Sequence, residues 1–108
     1  MSIRDELRLF DGHNNVLEEI LSRHRPTNPF IRSLVTLIAD EDQNVQTGAT
    51  WLLKRLAENH VQVKPQHLIA LFGSLSELTH WISKLHVCQM LQHVTIPDES
   101  ASNIVWFL

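Results

Sequence analysis

Residues 34–59, "LVTLIADEDQNVQTGATWLLKRLAEN", hold the end of one apolar-periodic segment, an acidic turn and the whole of a second segment. In the second, Val45, Ala49, Leu52, Leu53 and Leu56 recur at i, i+4, i+7, i+8 and i+11. That spacing predicts an amphipathic helix over 43–58. In the first, Leu34, Leu37 and Ile38 mark the buried side of a helix that also carries Phe30. Asn28-Pro29 opens it, because Asn caps well and Pro at the first helical position gives up no needed hydrogen bond. Asp40-Glu41-Asp42 forms the turn and sets carboxylates at the positive end of the next helix.

Outward from this hairpin the same plan recurs. On the N-terminal side, Ser2 and Asp5 suit the start of a helix over 3–10, and Gly12 stops it. Asn15 and Glu18 open a second helix that carries Val16, Leu17, Ile20 and Leu21 and runs to Arg25. On the C-terminal side, 59–64 is a loop and Pro65 starts a helix with Leu68, Leu71 and Phe72 inward, ended by Gly73. Ser74 and Glu77 have capping-box spacing, which predicts one continuous helix to about 94. Its apolar stripe is Leu78, Trp81, Ile82, Leu85, Cys88 and Leu91. Pro97 opens a last segment, 97–108.

Pro29, Pro65 and Pro97 head helical segments 36 and 32 residues apart. Leu34, Leu37 and Ile38 match Leu68, Leu71 and Phe72 at 34 residues, and Val45, Ala49 and Leu52 match Trp81, Leu85 and Cys88 at 36. Two helices per period of this length predict an all-α fold, an α-solenoid of antiparallel helix pairs. One pair cannot dry its own apolar face and needs neighbours. The expected organisation is a single domain, 1–108: a capping pair at 1–25, full repeats at 29–59 and 65–94, and the start of a further repeat at 97–108.

The 34–59 hairpin resembles a HEAT repeat of the short bacterial kind. The family's pattern is an apolar helix, an Asp-containing turn, Val with a small residue four positions on, then paired leucines. Here these are Leu34, Leu37 and Ile38; Asp40 and Asp42; Val45; Ala49; Leu52, Leu53 and Leu56. The family places Arg directly after the Val, where this chain has Gln46. The resemblance covers about 26 residues and implies a right-handed stack whose second helices line a surface that holds a partner. HEAT-like proteins are mostly scaffolds, and one HEAT-like group is a family of DNA glycosylases. The leading expectation is therefore a non-catalytic protein-binding scaffold, and the alternative is a nucleic-acid-binding domain.

Composition narrows the classes. The chain has 108 residues and a net charge of −3, without the Lys/Arg excess of a general nucleic-acid binder. Protonation of all seven histidines would move that charge to +4. The single cysteine, Cys88, cannot close an internal disulfide, which fits a reducing compartment and makes the cytoplasm the expected location. No apolar run is long enough to span a bilayer. The sequence has no Cys-x-x-Cys or His-x-x-x-His pair, no Gly-rich phosphate loop and no Gly-x-Ser-x-Gly frame. No metal, cofactor or catalytic residue is expected, and the chain is not expected to be an enzyme.

The candidate partner-binding surface follows from the helical wheel. Thr47, Trp51, Lys54 and Glu58 fall opposite the core stripe of the 43–58 helix. An exposed Trp there would anchor a partner, whereas a neighbouring repeat would bury it. Thr79, Ser83, His86 and His93 share one polar face of the later helix and continue the surface. Arg23, His24, Arg25 and Arg32 form the densest basic cluster, suited to phosphate contact or to a helix C-terminus. The closing run Ile104, Val105, Trp106, Phe107 and Leu108 is apolar. It is expected to belong to an unfinished repeat of a longer chain or to mediate self-association.

Overall fold

Caps and breakers place the helix ends. The computed structural model describes residues 2–10, 12 and 14–107, with all of their side chains except those of Asn14, Val105 and Trp106. Among these residues there are seven α-helices and no strand: α1 (Ile3–Arg8), α2 (Asn14–Arg23), α3 (Asn28–Leu37), α4 (Gln43–Glu58), α5 (Pro65–Gly73), α6 (Trp81–Leu91) and α7 (Ala101–Phe107). Short 3-10 turns stand at Leu75–Glu77 and Asp98–Ser100. Ser2 caps α1, and Asp42 Oδ1 accepts from the amides of Asn44 and Val45 to cap α4. Thr27, not Asn28, caps α3, its hydroxyl accepting from the Phe30 amide. α2 ends at Arg23, two residues before the Arg25 expected from the sequence. α4 closes on His60 in the left-handed region (φ 63°), where Val61 N–H reaches back to Leu56 O.

The continuous helix predicted from Ser74 to about residue 94 does not form. Ser74 makes no cap bond; its hydroxyl donates instead to Ala70 O. The chain turns once as a 3-10 helix, extends through Leu78, and restarts at α6 with His80 as the cap. His80 Nδ1 accepts from the Ile82 amide at 3.1 Å. The break rotates α6, so the setting expected from periodicity is lost.

α4 is the central element. It packs against α1, α2, α3 and α6, and α3 packs against α5. Gly48 permits the closest of these approaches: a Cβ there would stand 2.7 Å from Leu7 Cδ2 and 3.4 Å from Leu17 Cδ2. The opposite flank of α4 carries Thr47 and Thr50, which face α6, and Gln46, which faces the 77–80 segment that leads into it. One apolar cluster runs from Leu7 and Leu17 through Leu34, Leu52 and Leu53 to Leu71, Phe72 and Met90. The radius of gyration, 12.7 Å, is close to the roughly 13 Å of a compact 100-residue domain.

Ion pairs tie α1 to the rest. Arg4 grips Asp40 with Nε at 2.7 Å and Nη2 at 3.2 Å. The Arg4 bond, together with the Asp42 amide, holds the Asp40 carboxyl below its ordinary range against the opposing effect of burial. Of the closing apolar run, Ile104 is buried and Phe107 half-buried within this chain, so Ile104 is not free for a partner. Leu108 and the side chains of Val105 and Trp106 lie outside the described residues.

Candidate interaction surface

The expected binding residues divide into three groups. Thr47, Lys54 and Glu58 are half-buried on α4, Thr47 against Ser83 of α6, and Lys54 Nζ stands 3.9 Å from Glu58 Oε1. Trp51 between them is only 6% exposed, with Lys54 lying 5.9 Å over its ring, so it is a core residue and not a free anchor. Ser83 (0% exposed) and His86 (8% exposed) are also buried, which corrects their placement on a solvated stripe. Thr79 and His93 are exposed. His93 lies apart from the others, in a cleft of about 400 Å³ shared with His60, Val63 and Pro97.

Ser83 and His86 are buried because the α4–α6 contact is a polar seam. Thr47 Oγ1 and Ser83 Oγ are 3.4 Å apart, and Thr50 Oγ1 and His86 Nδ1 are 3.0 Å apart. Both contacts advance in the same direction along the two helices, so α4 and α6 run parallel. Thr50 also donates to the carbonyls of Gln46 and Thr47. With its one proton used there, its oxygen accepts from His86 Nδ1–H. The buried Gln46 amide closes the seam's upper end. Its Oε1 accepts from the amides of Thr79 (3.1 Å) and His80 (3.3 Å), and its Nε2 donates to Glu77 O (3.3 Å) and more weakly to Asp40 O (3.5 Å).

Burial pushes the His86 imidazole down to about 4, and the nearby Lys54 ammonium acts in the same direction. Burial also lowers the pKa of His67, with Arg32 and Lys64 adding to it, and among the described residues neither ring nitrogen of His67 meets a hydrogen-bond partner. Both groups are charged in the unfolded chain below about pH 6.5 and resist charging in the fold. Stability is therefore fully present above pH 6.5 and falls as the pH drops from 6.5 towards 4. The His86 share is on the order of 2–3 kcal/mol. Thermal unfolding between pH 7.5 and 4.5 should show this slope, and His86→Gln should reduce it by the His86 share. The Asp40 contribution is lost only below the ordinary carboxylate range, so the two windows separate.

What α6 turns outward is the stripe that periodicity assigned to the core. Trp81 is 67% exposed, Leu85 is 44% exposed, and Cys88 is exposed one turn further on. Ile82 and Leu91 flank it, half-buried. Val87 and Met90, which no stripe predicted, point inward. α6 contains one formally charged residue in eleven, Lys84, so no charged face competes with the apolar one for solvent.

The basic cluster is partly spent within the chain. Glu6 binds Arg23 at 2.9 Å and His24 at 3.1 Å, and the His24 ring stacks on Phe30 with centroids 5.0 Å apart. Among the described residues no group of three His, Cys, Asp or Glu side chains is placed to hold a metal ion, and no helix is long and apolar enough to cross a membrane. No protein-family model matches the chain, and neither a curated protein nor a solved structure shows significant similarity to it.

Proposed function

We propose that the chain is a non-catalytic protein-interaction module of HEAT-like helix pairs, and that the outer face of α6 is its docking surface. The observation that carries this is how α4 and α6 use their flanks when the two helices are aligned 35 residues apart, one fewer than the 36-residue match of the sequence, which would pair buried Val45 and Ala49 with exposed Trp81 and Leu85. Gly48, on the α4 flank that receives α1 and α2, corresponds to Ser83, on the α6 flank that receives α4. Gln46 and Thr50, on the α4 flank covered by α6, correspond to Trp81 and Leu85, which are bare. Each helix thus offers one flank to the preceding unit and the other to the next, which is the logic of a stack. At α6 the second flank is open, apolar and carries a Trp, the residue type most enriched in binding hot spots.

The test is quantitative affinity capture with the wild-type chain and with Trp81→Ser/Leu85→Gln. Both substitutions fall on exposed positions and should leave helicity unchanged. Proteins retained by the wild type and lost by more than tenfold in the double variant support the proposal. Equal retention by both would place binding elsewhere.

A further inference from the structure

We infer that the α6 face is self-complementary and pairs with the same face of a second copy of this chain. The inference rests on the docking surface proposed above and names its occupant. The knob is Trp81. The hole is a cleft of about 310 Å³ whose lining is part apolar, from Phe72, Leu75, Leu78 and Phe107, and part polar, from Ser76, Lys84 and Asn103. Its volume lies at the small end of ligand-sized pockets, which suits a single side chain. Lys84 joins the two, because it lines the cleft and sits one helical turn from Trp81 on the same helix.

Knob and hole thus adjoin on one surface. A two-fold axis near residues 82–83, with the two α6 helices antiparallel, brings the Trp81 indole of each copy to the Lys84 level of the other. Each ammonium then meets the face of the opposite indole, and each indole covers the opposite cleft. Such reciprocal use of one patch is what a two-fold interface requires. Charge favours the pairing: Lys84 is the only formal charge on α6, and it meets a ring quadrupole instead of a second cation.

Area limits the strength. α6 is about 16 Å long, and one Trp buries at most about 250 Å². The patch therefore falls below the roughly 800 Å² per partner of a stable complex. A reversible dimer in the micromolar range follows, not a permanent one.

Sedimentation equilibrium of the full chain between about 1 and 500 μM tests this. The wild type should move from 12.5 kDa towards twice that mass. Trp81→Ser should weaken the dimer at least tenfold, and Lys84→Ala by about tenfold from two equivalent cation–π contacts. Circular dichroism should show unchanged helicity in both variants. A mass fixed at 12.5 kDa throughout, or a dimer unaffected by Trp81→Ser, overturns the inference. A strictly monomeric wild type whose captured partners still depend on Trp81 would overturn the second copy as occupant and leave the docking surface standing. Loss of that dependence would instead remove the docking surface itself.

Discussion

Trp51→Ala is expected to lower the unfolding free energy by about 3 kcal/mol, the lower end of the range for deleting a buried aromatic. Trp51 is 6% exposed, and Lys54 lies over its ring. The lower end applies because the cavity would open beside half-buried Thr47, Lys54 and Glu58, where water can enter. A helix needs more than propensity to stay folded, and α4 draws its stability from the side chains that surround it. Since α4 contacts four other helices, the loss should appear as a lowered midpoint of one cooperative transition in urea. A variant as stable as the wild type would mean that Trp51 is free at the surface.

Gln46→Leu is expected to cost a similar amount, about 3 kcal/mol, for a different reason. Leu fills the volume but satisfies none of the four backbone groups bound by the Gln46 amide. Each buried group left unpaired costs about 1–3 kcal/mol, and the exposure of Thr79 and Glu77 lets water recover part of it. The substitution also frees the 78–80 segment, which sets the rotation of α6. Amide exchange at Thr79 and His80 should therefore accelerate more than the global loss alone explains. Unchanged exchange there, with a stability loss under 1 kcal/mol, would show that the amide does not hold the segment.

The legibility of this chain changes at residue 74. Before it, caps, prolines and the 3.6-residue period placed every helix: α4 forms at Gln43–Glu58 and α5 at Pro65–Gly73 as read from the residues, while α1 and α2 each end two residues early and the cap of α3 is Thr27 in place of Asn28. The acidic turn does place Asp42 at the start of α4. After it, two things misled. Ser74 and Glu77 have the spacing of a capping box, but Ser74 bonds Ala70 and the helix breaks. Then α6, apolar on nearly all sides, gives periodicity no charged face by which to set its rotation.

Its true setting is chosen by hydrogen bonds from Gln46, Thr47 and Thr50, thirty or more residues upstream. A hydrophobicity pattern cannot report a buried polar seam, because polar residues there are scored as solvent-facing. For that reason periodicity sets Ser83 and His86 outward and Trp81, Leu85 and Cys88 inward. The available signal was local. A helix with one charge in eleven residues needs cover on more than one side.

The setting of α6 is the claim on which the docking surface, the dimer and the buried seam all depend, and Cys88 reports it directly. At sub-micromolar concentration, where the proposed dimer is dissociated, a thiol reagent should modify Cys88 in the folded chain within about tenfold of its rate in urea. That is the behaviour of a thiol already exposed to solvent. Protection of Cys88 until the chain unfolds would put Trp81, Leu85 and Cys88 in the core and contradict the account.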